Sequence, residues 1–167
     1  TNAEFPPFEY IEGNEFKGLD MDIARIIAAE LGVPIDIQHM AFDAVIGSVT
    51  SNRADIAIAG LTISEERLAN VDFSKPYFNA SQVVLIKTDN QSISQSDLDS
   101  LLTSLQGKKI GFQKGTVGQF YVEGSSSWEF DGITGAVATQ YNSGALAVND
   151  LLSGRIDAVV IDEMPAR

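Results

Sequence analysis

Apolar positions in the first half of the chain fall into alternating strand-like and helix-like blocks. Phe8 to Tyr10 reads as extended, and Glu12-Gly13-Asn14-Glu15 reads as a turn. A helix is predicted over about Met21 to Leu31, with Ile23, Ile26, Ile27 and Leu31 as its apolar face. Asp20 suits its N-cap and Gly32 its C-cap. Pro34 opens a strand around Ile35 to Gln38, a helix follows over about Asp43 to Ser51, and Asp55 to Ala59 is the next strand. Repeated strand-helix-strand units imply an α/β fold with a largely parallel sheet.

The second half repeats the pattern. Strands are predicted at Gln82 to Ile86, Lys109 to Phe112 and Ile156 to Ile161. Helices are expected at about Ser96 to Leu105, from Thr116 or Val117 onward, and over Ser143 to Leu152, the last ended by Gly154. The polar stretch Lys87-Thr88-Asp89-Asn90-Gln91-Ser92 is the best boundary candidate, and Gly124-Ser125-Ser126-Ser127 is a loop.

The 167 residues suit one domain or two small lobes, and no apolar run approaches the ~20 residues of a membrane span. Net charge is −12, with eleven scattered basic residues, which argues against a nucleic-acid partner. The absence of cysteine excludes disulfides and thiolate metal sites. His39 is the only histidine, so a His-rich zinc site is excluded, and it reads as structural. No metal or cofactor site is expected.

The block Ile56-Ala57-Ile58-Ala59-Gly60-Leu61-Thr62-Ile63-Ser64-Glu65-Glu66-Arg67 carries the most chemistry. An apolar strand ends in glycine, a serine caps a helix start, and an arginine lies in the first turn. Helix N-termini attract anions, and a guanidinium pairs bidentately with a carboxylate. The pattern fits a carboxylate receptor. It fits equally a capped surface helix with a solvated arginine.

Ser51-Asn52-Arg53-Ala54-Asp55 to Gly60 parallels Ser153-Gly154-Arg155-Ile156-Asp157 to Asp162, which places Gly60 and Asp162 at equivalent strand ends. Gly60-Leu61-Thr62 is echoed by Lys114-Gly115-Thr116. Two lobes would then carry opposed charges, suited to the α-carboxylate and α-ammonium of an amino acid. Asp162 can instead cap a helix over Glu163-Met164-Pro165. Phe5 and Phe42 can enclose a ligand or pack in the core. Phe8, Phe73 and Phe78 read as packing residues.

Thr1 to Tyr10, Gly18 to Ala28, Asp55 to Arg67 with Asp72-Phe73-Ser74-Lys75-Pro76-Tyr77, Gln113-Lys114-Gly115-Thr116 and Gly154 to Asp162 follow in an order that resembles a known family. It is that of the bacterial extracellular (periplasmic) solute-binding proteins, family 3, the polar amino-acid receptors of ABC importers. The resemblance implies an α/β fold of the periplasmic binding protein type II class, two lobes with mostly parallel sheets joined by a hinge near Lys87 to Asn90. It implies that a free polar or basic amino acid is trapped between the lobes and delivered to membrane permease subunits. In that family the positions of Arg67 and Thr62 hold the α-carboxylate, and the position of Asp162 with the backbone of Gly60 holds the α-amine. Thr116 and Val117 complete the carboxylate site, and Asn2, Phe5, Phe42 and Gln113 touch the ligand's side chain.

Two departures bear on this. Asn2 stands where binders of basic amino acids often carry Asp, although Glu4 is near, and Gln113 is an uncharged amide. Family members also start before the position of Thr1 and run on past that of Arg167. The expectation is therefore lobe 1 over residues 1–87 and an incomplete lobe 2 over 88–167. Apolar surface left uncovered in lobe 1 would drive self-association. The resemblance also implies a periplasmic or extracellular location, lipid-anchored or not. The alternatives are a ligand-binding sensor domain of a receptor and a prephenate or arogenate dehydratase-like enzyme, for which Glu123, Glu129 and Glu163 supply acids without a distinguishing spacing.

Overall fold

The computed structural model describes residues 1–167, which divide into two compact units, Thr1–Asn79 and Ala80–Arg167. The first unit opens with a three-stranded antiparallel sheet of β1 (Glu4–Phe5), β2 (Glu9–Glu12) and β3 (Glu15–Lys17), in the order β1-β2-β3. The expected turn closes the β2–β3 hairpin, with Glu12 opposite Glu15 and Gly13 at φ +63°.

Helix α1 (Leu19–Leu31) follows, capped at its C-terminus by a left-handed Gly32 as expected. Its N-cap is Gly18 and not Asp20. Gly18 has φ +112°, and a Cβ there would lie 2.2 Å from the Phe8 carbonyl oxygen, so only glycine fits the strand-to-helix junction. Asp20 is released from capping and lies fully buried in the first turn. The helix buries Met21, Ala24 and Ala28, whereas Ile26, Ile27 and Leu31 are exposed. It is apolar on two sides, and the small residues Ala24 and Ala28 allow the closer approach to its neighbours.

A 3-10 turn at Phe42–Ala44 runs into α2 (Val45–Thr50), which together replace the single helix expected from Asp43. The four-residue α3 (Glu65–Leu68) is capped by Ser64, whose hydroxyl accepts from the Arg67 N–H at 3.3 Å. The runs Ile35 to Gln38 and Asp55 to Ala59 form no ladder, so the first unit holds no parallel sheet. Instead Thr1–Ala3 bonds to residues 38–40. The Met40 N–H donates to the Thr1 carbonyl, and the Ala3 N–H to His39 Nδ1, both at 3.0 Å.

The second unit is a four-stranded mixed sheet in the order β4-β7-β5-β6. Its strands are β4 (Gln82–Leu85), β5 (Lys109–Gln113), β6 (Val137–Tyr141) and β7 (Ala158–Asp162). β5 runs parallel to both β6 and β7, and β4 runs antiparallel to β7. Helices α4 (Leu98–Ser104), α5 (Val117–Glu123) and α6 (Gly144–Leu152) start behind Asp97, Thr116 and Ser143. Alternation along the strands builds a core on each face. Ile110, Phe112, Ala158 and Val160 pack with Leu105 and Val122, while Val159 packs with Ala147, Leu151 and Ile156.

The two compact units divide between Asn79 and Ala80, ahead of β4, which is held in the second unit by its ladder with β7. Lys87 to Asn90 is a turn inside the second unit, closed by the Asn90 N–H on the Lys87 carbonyl at 3.0 Å. The two echoed helix ends share one geometry. Asn52 and Gly154 are both left-handed, and the next N–H, of Arg53 or Arg155, reaches back to Ser48 or Asp150. Only the second copy continues into a strand.

Candidate functional site

In the first unit the predicted residues gather around Arg67, which is 7% exposed despite its charge. Its Nη1 donates to the Thr62 carbonyl at 2.7 Å, and its guanidinium carbon sits 5.7 Å from the centroid of the Phe42 ring. One edge of the fork is thus fixed by a carbonyl and one face by a ring. The surface-helix alternative, with a solvated arginine, is excluded by this burial. Thr62 thus orients the guanidinium through its carbonyl. Helix α3 is one turn long, and its Arg67 N–H is taken by Ser64, so the guanidinium outweighs any dipole at this site.

Gly60 stands at φ +55°, with the Phe5 ring 3.5 Å from where a Cβ would project. Phe5 stacks on Phe8 with centroids 6.0 Å apart, and the exposed Phe78 meets Phe8 edge-on at 4.9 Å. Asn2 is buried and donates through Nδ2 to the Met40 carbonyl at 2.9 Å, so this amide holds the N-terminal segment against residues 38–40.

A polar cluster missed in the sequence underlies this half-site. The Gly60 N–H donates to Asp20 Oδ2 at 2.7 Å, and the Tyr77 hydroxyl donates to Asp20 Oδ1 at 2.9 Å. Burial, followed by the neighbouring Asp20 carboxylate, raises the Tyr77 phenol well above its ordinary value. The signal could not be read locally, because the partners lie 40 and 57 residues from Asp20 along the chain.

The second unit carries its own set at the C-terminal ends of parallel β5 and β7. Gln113 closes β5, is 6% exposed, and donates through Nε2 to the Asn142 carbonyl at 3.1 Å. The Thr116 hydroxyl donates to the Gln113 carbonyl at 2.7 Å and so fixes the start of α5, where Val117 is buried. The Gly115 N–H is held by Gln119 Oε1 at 2.7 Å. Asp162 ends β7 opposite Gln82, and residues 163–166 after it form a turn and not the helix that a capping role requires. Glu163 is held below the usual carboxylate range by the Ser81 hydroxyl and then by Arg167. No group of three His, Cys, Asp or Glu side chains could hold a metal ion, and no helix is long and apolar enough to cross a membrane.

The model of the bacterial extracellular solute-binding proteins, family 3, matches residues 1–150. The arginine-binding extracellular protein ArtP of Bacillus subtilis (strain 168) is 30% identical over 166 residues, 99% of this chain and 60% of its own. The ABC transporter arginine-binding protein 1 of Escherichia coli (strain K12) is 33% identical over 97% of this chain and 61% of its own. The arginine-bound form of a truncated ArgBP from T. maritima superposes with a TM-score of 0.84 at 36% identity, over 99% of this chain and 73% of that one. The chain thus spans about 60% of the length of the curated relatives it matches.

Proposed function

Because the chain belongs to the bacterial extracellular solute-binding proteins, family 3, we propose that it binds a free amino acid through two half-sites, one led by Arg67 and one by Asp162. The fold is that of the periplasmic binding protein type II class. The observation that carries the reading is the buried Arg67 guanidinium, set on Phe42 and the Thr62 carbonyl. Such a group is a receptor for a carboxylate, because a planar fork in a dry site gains most from a bidentate anion. Asp162 is the matching acceptor for the α-ammonium. The ends of β5 and β7, with Gln113, Thr116 and Val117, supply the rest, as expected for ligands of parallel strands.

Arginine is the first ligand to test, since both curated relatives described above are named as arginine-binding and the T. maritima protein holds arginine. Phe5 and Phe42 are aromatic faces against which a guanidinium can lie. In this reading the protein works outside the cytoplasmic membrane, delivers its ligand to the permease subunits of an ABC importer, and catalyses nothing. A thermal-shift and calorimetric screen of the L-amino acids tests it. L-Arginine is expected to give the largest stabilisation, followed by other polar or basic amino acids. Binding of no amino acid would overturn the proposal.

A further inference from the structure

Gly60 and Tyr77 bracket the stretch that carries Thr62, Ser64 and Arg67, and both donate to the same buried carboxylate. The only regular element between them is α3, four residues long and too short to hold its own conformation. Asp20 is itself rigid. Its N–H donates to the Phe8 carbonyl at 2.8 Å, it lies in the first turn of α1, and its side chain is fully buried.

We propose that Asp20 is the positioning residue of the Arg67 half-site, tying both ends of the Gly60–Tyr77 stretch to α1 so that the guanidinium is held ready for the ligand carboxylate. This rests on the carboxylate-receptor reading given above. An ionised carboxylate only accepts, so it can serve the Gly60 N–H and the Tyr77 O–H together. An asparagine serves them less well, because with its carbonyl on the Gly60 N–H its NH2 group faces the Tyr77 oxygen, which must turn to accept, and neither bond is charge-assisted any longer. Preorganisation of this kind shows as affinity, since a loose receptor must be ordered when the ligand binds.

The sign of the effect separates positioning from simple charge. By charge alone, a buried anion in this unit repels the ligand carboxylate, and removing it would strengthen binding. Positioning predicts the reverse.

The test compares L-arginine with L-argininamide, which keeps the α-amine and side chain but lacks the anion, on the wild-type protein, Asp20→Asn and Tyr77→Phe. Asp20→Asn is expected to lose L-arginine affinity about tenfold more than L-argininamide affinity, as the loss of one charge-assisted bond implies. Tyr77→Phe, which keeps the Gly60 tie, is expected to shift the same ratio about threefold. A ratio that stays at the wild-type value, or moves in favour of L-arginine, overturns the proposal even if melting temperatures fall, because a purely structural loss weakens both ligands alike. If Asp20→Asn does not fold, Tyr77→Phe decides by the same ratio. A wild-type protein that binds neither ligand overturns the receptor reading itself, and this proposal with it.

Discussion

Gly118 links the packing of the second unit to its half-site. It lies in the first turn of α5, and a Cβ added there would stand 2.7 Å from the Val160 carbonyl oxygen, well inside ordinary van der Waals contact. Val160 is in β7, where the ladder with β4 holds it opposite Val84, so this carbonyl has little freedom to yield. In Gly118→Ala the helix must move outward by a few tenths of an ångström, carrying Thr116 and Val117 away from the end of β7. Overpacking of this kind costs about 1–3 kcal/mol, and up to about 1 kcal/mol returns because alanine is the better helix former. Because the clash is with backbone, the cost falls in the upper part of that range, and the expected net loss is about 1–2 kcal/mol in urea unfolding, accompanied by weaker binding of L-arginine. Gly47→Ala is the control, since that glycine sits in α2 with nothing within 4 Å of an added Cβ. It should be neutral or stabilising by up to about 1 kcal/mol. Equal stability of Gly118→Ala and wild type would refute the close helix–strand contact on which this reasoning stands.

Alkaline pH should expose Tyr141. Burial, followed by the hydrogen bond to Asp150, pushes its phenol up to about 12, against about 10 in an unfolded chain. The folded state then keeps a proton that the unfolded state releases, so this stabilisation is complete below about pH 10 and disappears as pH rises towards 12. Thermal midpoints followed over that window should fall less steeply for Tyr141→Phe, and parallel curves would contradict the assignment. The exposed apolar residues of the first unit, Ile26, Ile27 and Leu31 of α1 with Val33 and Ile35, predict that the 167-residue chain associates with itself. Ile27→Lys with Leu31→Lys should shift sedimentation towards monomer, and a wild-type chain that sediments as a monomer would refute it.

Much of the second unit is legible along the chain because its elements are locally specified. Asp97, Thr116 and Ser143 precede α4, α5 and α6, and the Val-rich β7 ends where the sequence places it. β6 escapes notice because it is an edge strand whose Val137-Ala138-Thr139 opening carries little apolar weight. The first unit is harder to read. Its apolar runs at Ile35 and Asp55 have the composition of strands, but a strand exists only by pairing, and no ladder partner meets them. Helix α1 misleads for a related reason, since a helix apolar on two sides does not announce which face is buried.

The candidate site divides in the same way. Arg67 and Thr62 are neighbours in space, as the Gly-Leu-Thr-Ile-Ser-Glu-Glu-Arg block suggests, and Phe42, which lies outside that block, sits against the guanidinium. Asn2 finds a partner in the Met40 carbonyl, 38 residues away, which no local pattern shows. The Asp20–Gly60–Tyr77 cluster was invisible because Asp20 has the local signature of a helix cap, and only the Gly18 junction frees it for another task.

The central claim is that Arg67 receives the α-carboxylate of a free amino acid, and titration calorimetry of L-arginine into wild type and Arg67→Ala tests it most directly. Removing one member of a desolvated charge pair leaves the other unpaired and costs on the order of 3 kcal/mol, a loss of roughly a hundredfold or more in affinity. A loss of less than about tenfold, in a variant whose stability is otherwise retained, would contradict the account.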